Sequence, residues 1–75
     1  MEQIKVHSGF ILGAVYDEDK RMLRIRIGNT YYYYYGVTKQ KVARFRNAPS
    51  KGAYFCKYIK DRYQTRKRKL NSKIA

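Results

Sequence analysis

The segment from Met22 to Val37 constrains the fold most, because an alternation of apolar and basic residues is followed directly by two residues that favour a tight turn. Apolar side chains occupy every second position over Leu23–Ile27, and arginines occupy the positions between them. Residues two apart lie on the same face of a β-strand, so this pattern predicts a half-buried strand. Gly28-Asn29 follows, and both residues tolerate the positive φ angles of a two-residue turn. Thr30–Val37 contains five consecutive tyrosines, and aromatic residues favour strands, so we predict an antiparallel hairpin.

The remaining elements follow from capping and turn residues. An apolar run over Phe10–Tyr16 predicts a strand before the hairpin, and the polar segment 17–21 predicts the turn between them. Thr38 is a suitable N-cap for a short helix over residues 39–47, and a second helix is predicted from Ser50 to about Tyr63. The predicted fold is α+β, with a three-stranded antiparallel meander followed by two short helices packed on one face of the sheet.

The basic residues are concentrated in the second half of the chain. The formal net charge is +13, and residues 37–75 contain thirteen Lys and Arg residues against one acid, Asp61. A positive field of this size attracts polyanions such as DNA and RNA. Residues 64–75 also lack an apolar period, so we predict a disordered basic tail there, with a flexible segment over 1–7 and one domain over 8–63.

The cysteine content and the N-terminus favour a cytoplasmic protein. One cysteine cannot form an intramolecular disulfide, and we interpret Cys56 as a small buried hydrophobe on a helix. The start of the chain lacks the basic and apolar regions of a signal peptide, and no segment has the length of a membrane span. The basic tail has no apolar companion face, so we do not expect a membrane partner.

Residues suited to catalysis or to metal binding are few. His7 is the only histidine, and nothing in the sequence places a serine or cysteine nucleophile beside it. The acidic run at residues 17–19 is explained by a polar hairpin turn better than by a cation site. We therefore predict a protein that is not an enzyme and that uses no cofactor and no metal.

Several short motifs resemble the KTSC domain over roughly residues 8–63. In chain order they are Tyr16-Asp17, Leu23-x-Ile25-x-Ile27, Tyr32-x-Tyr34 with Tyr35-Gly36-Val37, Ala48-Pro49-Ser50-Lys51-Gly52-Ala53-Tyr54-Phe55, Ile59 and Tyr63. The chain departs from the family at Thr38, where a proline is usual. The resemblance implies a bacterial or phage domain that also occurs at the C-terminus of some lysyl-tRNA synthetases, a context that points to RNA.

The first candidate site is the sheet face opposite the predicted helices. If the apolar residues of the hairpin point to the core, pleating places five others on that face: Arg24, Arg26, Tyr31, Tyr33 and Tyr35. Tyrosine rings can stack on unpaired bases and guanidinium groups can bind phosphates, as on single-strand RNA platforms. The alternatives are Arg–Tyr packing on a solvated sheet and an oligomer interface formed by the tyrosines.

Two further candidate sites lie in the second half of the chain. Free N–H groups at a helix N-terminus bind anions, so Ser50, Lys51 and Gly52 could hold a phosphate; the alternative is a capping serine and a closely packed glycine. The third candidate is a set of bases along the second helix and the tail: Lys57, Lys60, Arg62, Arg66, Lys67, Arg68 and Lys69. A merely solvated face would carry interspersed acids, so this set favours contact with a polyanion.

These features predict a non-enzymatic nucleic-acid-binding module, with RNA favoured over DNA. The basic helix and tail would contact the backbone, and the tyrosines of the sheet could stack on bases. The alternative is a protein-interaction or homo-oligomerising module, for example a small phage regulator, that uses the tyrosine-rich strand. Its partner would be an acidic protein or a second copy of the chain.

Overall fold

The computed structural model describes residues 1–6 and 8–69, which form an α+β fold. One antiparallel sheet contains five strands, which neighbour each other in chain order: β1 (Glu2–Ile4), β2 (Ile11–Asp17), β3 (Met22–Ile27), β4 (Thr30–Tyr35) and β5 (Gln64–Lys69). The helical segments lie between β4 and β5 in the chain: α1 (Lys39–Arg46), α2 (Lys51–Tyr54) and a π-helix (Phe55–Ile59) that continues α2 directly. Within the described residues, no helix is both long and apolar enough to cross a membrane.

The sheet contains two more strands than the sequence predicted. The β2–β3–β4 meander is confirmed, but residues 2–4 pair with β2 and residues 64–69 pair with β4. The predictions of a flexible start and of a disordered tail are therefore wrong for these two segments, and the rest of the predicted tail lies outside the described residues. Both segments are polar or short, so their patterns did not predict strands, and backbone pairing with a neighbouring strand orders them instead.

The core lies between the sheet and the helices. Its largest fully buried side chains come from strands, loop and helices: Ile11, Leu23, Ile25, Val37, Val42, Phe45, Phe55 and Ile59. Burial of Leu23 and Ile25 confirms the predicted alternation in β3, and burial of Tyr34 confirms that Tyr32 and Tyr34 face the helices. The buried Tyr16 hydroxyl donates a hydrogen bond of 2.7 Å to the Val37 carbonyl oxygen. This bond lets a polar ring lie in the core without an unpaired hydroxyl.

The predicted N-caps are confirmed, but the second helix ends earlier than predicted. The hydroxyls of Thr38 and Ser50 each accept a backbone N–H three residues later, at 3.2 Å. The helix that begins at Lys51 ends at Ile59, its last five residues are π-helical, and Asp61 has a φ of 62°. Cys56 is exposed, so its interpretation as a buried hydrophobe is wrong. The neighbouring Phe55 takes the core position and directs Cys56 outward.

Tyr34 makes the stability of the fold depend on pH in the alkaline range. Burial raises the pKa of Tyr34 from 10.0 to about 12. Because the unfolded chain loses this proton first, the stabilising contribution is complete below about pH 10 and is lost as the pH rises towards 12. We expect the free energy of unfolding to fall more steeply over this range for the wild type than for Tyr34→Phe, measured by urea unfolding. Equal slopes for the two proteins would contradict this expectation.

Candidate nucleic-acid interface

The sheet face that the helices leave uncovered carries arginines and tyrosines on three adjacent strands. We call it the open face, and its basic and aromatic residues are Arg24 and Arg26 of β3, Tyr31, Tyr33 and Tyr35 of β4, and Arg66 and Arg68 of β5. Their positions follow from the strand alternation, because Leu23, Ile25 and Tyr34 between them are buried on the helix side. The structure therefore confirms that the five residues predicted for this face lie together.

The strand register places two tyrosines between arginines. The two rows across the sheet are Arg26–Tyr31–Arg68 and Arg24–Tyr33–Arg66. Directly opposite residues on neighbouring strands have Cβ atoms about 4.5–5.5 Å apart, so their side chains can contact each other. Four guanidinium groups therefore border two phenol rings on one surface.

The two rings in these rows differ in what lies over them. The guanidinium carbon of Arg24 is 4.6 Å from the centroid of the Tyr31 ring, and that of Arg26 is 5.9 Å from it. Both distances fall in the range of cation–π contacts. Among the residues that the structure describes, no cation lies over the Tyr33 ring, whose centroid is 6.4 Å from that of Tyr31. Tyr33 therefore offers a ring face that a ligand can use.

Of the depressions on the open face, two adjoin the Tyr33 and Tyr31 rings of the rows. One has a volume of about 280 Å³ and is lined by Tyr33 and Tyr35 of β4 together with residues 66–68 of β5. The other, of about 170 Å³, lies where the β2–β3 register shifts, and Arg24, Arg26 and Tyr31 are among the residues that line it. Each depression combines arginine with tyrosine, which suits a ligand that has both an anionic group and a flat ring.

Acidic side chains are scarce on the open face. Across the five described strands, the only acid at an open-face position is Asp17, and its carboxylate accepts backbone N–H groups of the following turn. The ion pairs among the described residues join Lys39 to Glu18 at 3.1 Å and Arg46 to Glu2 at 2.6 Å. None of the four open-face arginines takes part in them, so their charge is available to an anion.

The basic set predicted for the second helix and the tail is divided between different parts of the surface. Arg66 and Arg68 lie on the open face, whereas Lys67 and Lys69 pair with residues of β4 that face the helices. The other members lie on the π-helix or directly after it: Lys57, Lys60 and Arg62. The bases therefore do not form one continuous strip, because β5 is a strand and alternates its side chains between faces.

The Ser50-Lys51-Gly52 segment has a structural role. Ser50 caps α2 through the N–H of Ala53. Gly52 is buried, and a Cβ atom added to it would lie 2.8 Å from a ring carbon of Phe10 and 2.9 Å from the Ser8 hydroxyl. Capping and close packing thus explain both residues, and phosphate binding at this helix start stays a prediction.

The candidates for catalysis and metal binding add no site within the described residues. No three His, Cys, Asp or Glu side chains converge there in a way that could hold a metal ion. The acidic run at residues 17–19 forms the turn between β2 and β3, where Asp17 accepts the N–H groups of Asp19 and Lys20. His7 lies outside the residues that the structure describes.

Sequence reasoning missed a second basic and aromatic cluster, which lies on the helices. Its members are Lys41, Arg44, Tyr54 and Tyr58, and Lys57 joins them. One signal in the sequence could have located it, because residues 38–60 contain seven bases and no acid. The helical spacing of Val42 and Phe45 identifies the buried side of α1, but it does not indicate what the basic residues on the exposed side contact.

The chain is similar to proteins that contain a KTSC domain. The family model for the KTSC domain matches residues 7–63. A crystal structure of a KTSC domain protein from Yersinia pestis matches with a TM-score of 0.82 and 37% sequence identity, covering 89% of this chain and 96% of that chain. None of the curated proteins is significantly similar to the chain.

Proposed function

The chain belongs to the KTSC domain family, and we propose that this member is a non-enzymatic module that binds single-stranded nucleic acid, RNA in preference to DNA, on its open face. A shared fold does not identify a ligand, so the proposal depends on the chemistry of the surface. The observation that carries it is the pair of Arg–Tyr–Arg rows, whose four arginines have no acidic partner among the described residues.

The geometry of the rows favours a single strand over a duplex. No cation lies over the Tyr33 ring among the described residues, so this ring can stack on a base, but only on one whose face is not already covered by its neighbours in a helix. An unpaired strand can present such a base, whereas a duplex keeps its bases stacked on each other. Single-stranded RNA is recognised in this way, by splayed bases on aromatic rings and by arginine at the backbone.

The residues of the open face have distinct roles in this proposal. Tyr33 provides the stacking surface, because no cation lies over it among the described residues. Arg66 and Arg68 border the depression beside Tyr33 and bind phosphates there. Arg24 holds the Tyr31 ring through its cation–π contact at 4.6 Å. We place this activity in the cytoplasm, which a single free cysteine favours.

Replacing Tyr33 tests the stacking role. We expect Tyr33→Ala to weaken the binding of single-stranded RNA by about 1–3 kcal/mol, at least fivefold, because one stacked base loses its ring. Tyr33→Phe keeps the ring and should bind like the wild type. Fluorescence anisotropy with a labelled oligonucleotide measures both variants. If Tyr33→Ala and Tyr33→Phe bind single-stranded RNA equally well, Tyr33 does not stack on a base.

The function itself is tested by anisotropy titrations with single-stranded RNA, single-stranded DNA and both duplexes at several salt concentrations. We expect single-stranded RNA to bind most tightly. The two phosphate contacts of Arg66 and Arg68 predict a slope of log K against log salt of about −1.4, since each contact to a single strand contributes about −0.7. Binding that does not depend on salt would contradict the proposal.

An absence of binding to all four probes would favour the protein-interaction or homo-oligomerising alternative. Sedimentation velocity would then show whether the chain self-associates. β4 lies between β3 and β5, so its backbone groups are already paired on both sides. Such a module would have to use the side chains of the open face rather than the edge of the tyrosine-rich strand.

A further inference from the structure

We infer that the helices carry a second polyanion-binding surface, through which one chain bridges two segments of nucleic acid. The inference rests on the proposed function for the first contact, on the open face. Residues 38–60 contain seven bases and no acid. Lys39 and Arg46 form ion pairs with Glu18 and Glu2, so five of these bases have no acidic partner among the described residues.

The bases of this second surface converge on an exposed aromatic pair. Tyr58 is 41% exposed, and its ring centroid is 4.7 Å from that of Tyr54. The ammonium nitrogens of Lys41, from α1, and Lys57, from the π-helix, each lie 5.4 Å from the centroid of the Tyr58 ring. Two separate helical segments therefore direct their charges to one point on the surface.

A shallow groove, largely open to solvent, continues from this aromatic pair between α1 and α2. The groove has a volume of about 410 Å³, and its lining is mainly apolar apart from the charged side chain of Arg44. The residues that line it are Ala43, Arg44, Asn47, Ala48, Pro49 and Tyr54. Lys41 and Arg44 lie three residues apart on α1, so they are neighbours on one side of that helix. Together they place two positive charges beside the groove, where a phosphodiester backbone can bind with its sugars against the apolar lining.

The second surface and the open face lie on different sides of the molecule. Val42 and Phe45 of α1 are fully buried in the core, so α1 packs on the sheet through these residues. Lys41 and Arg44 lie on its remaining surface. The open face belongs to the other side of the sheet. A strand held on one surface therefore leaves the other surface accessible.

The charge pattern favours a second nucleic-acid segment as the occupant of this surface. An acidic protein is usually recognised through a mixture of charged and apolar contacts whose potentials complement each other. Here, the helical residues 38–60 provide cations only, placed beside tyrosine rings, which is the combination that the open face also presents. An anionic backbone with attached rings complements both surfaces.

Bridging can be measured as energy transfer between two single-stranded RNA oligonucleotides, one labelled with a donor and one with an acceptor. With the wild type we expect the transfer to rise as protein is added and to fall in excess protein, when each oligonucleotide binds its own chain. Lys41→Glu/Arg44→Glu should reduce the transfer to the background level. Its affinity for one labelled oligonucleotide should stay within about threefold, because charges beyond about 8 Å are largely screened at physiological salt.

The matched control is Lys5→Glu/Lys20→Glu, which makes the same change in net charge at two exposed positions outside both surfaces. It should bridge like the wild type, and circular dichroism should show that all three proteins are folded. Transfer that persists in Lys41→Glu/Arg44→Glu would overturn the inference, because bridging would then come from self-association. Binding without bridging by the wild type would overturn it and leave the proposed function standing. A wild type that binds no oligonucleotide would overturn both.

Discussion

Reversing the two arginine charges of β5, in Arg66→Glu/Arg68→Glu, should weaken the binding of single-stranded RNA by about 100-fold or more. Each hydrogen-bonded contact to a charged phosphate contributes about 1.5–3 kcal/mol, and 1.4 kcal/mol corresponds to tenfold in affinity. Both side chains lie on the open face beside Tyr31 and Tyr33. The slope of log K against log salt should become shallower by about 1.4, because two phosphate contacts are lost.

The same strand provides the control for this experiment. Lys69→Glu and Arg68→Glu change the net charge equally at adjacent positions, but Lys69 alternates towards the helix side of the sheet and lies outside the lining of the depression beside Tyr33. We expect Lys69→Glu to lose much less affinity than Arg68→Glu. An equal loss from both variants would show that binding follows the total charge of β5, and it would contradict the assignment of the site to the open face.

Truncating the core has the largest expected effect on stability. Phe45 is fully buried, and its ring centroid lies 6.2 Å from that of Tyr54. Phe45→Ala should lower the free energy of unfolding by about 3–5 kcal/mol, because the apolar contacts are lost and a cavity remains. The total free energy of unfolding of a domain of this length is about 4–11 kcal/mol. The variant should therefore lose about a quarter or more of its free energy of unfolding, and the midpoint of urea denaturation followed by circular dichroism should fall in proportion.

Leu12→Ala serves as the control for the core variant. Leu12 lies in β2 but is 59% exposed, and surface substitutions usually change stability by about 0.5 kcal/mol or less. The midpoint of its urea transition should stay close to that of the wild type. If Leu12→Ala and Phe45→Ala lowered the free energy of unfolding equally, the assignment of Phe45 to the core and of Leu12 to the surface would be wrong.

The parts of the fold that sequence predicted correctly are those with local causes. The alternation of Leu23–Ile27 and the turn at Gly28-Asn29 are sufficient to predict the β3–β4 hairpin, because strand faces and turns depend on neighbouring residues. Thr38 and Ser50 marked the helix starts for the same reason, since an N-cap bonds to a backbone N–H three residues away.

The strands that sequence did not predict depend on distant partners. β5 contains four consecutive bases, 66–69, and such a run repels itself when it is considered alone. Its order comes from pairing with β4, whose partner residues lie 29 to 39 positions earlier in the chain. β1 is only three residues long and pairs with the end of β2. No local pattern encodes either pairing.

The candidate site was predicted in part for the same reason. Alternation alone placed Arg24, Arg26 and the three tyrosines of β4 on one face. Arg66 and Arg68 were predicted as binding residues, but their position beside Tyr31 and Tyr33 depends on the β4–β5 register. Without that register, the four consecutive bases at residues 66–69 appeared equivalent, whereas the strand divides them between two faces.

β5 also determines which strand forms the border of the sheet. β4 consists of Thr30 and five tyrosines, without a charge or a proline, and β5 covers its outer backbone groups. If β5 were missing, a strand with high β-propensity would be open to pairing with other copies, a common start of aggregation. A chain shortened at Tyr63 would therefore precipitate for reasons unrelated to its ligand. The positive charges of β5 keep copies apart at the border that it forms, so the residues that attract phosphate also keep the protein in solution.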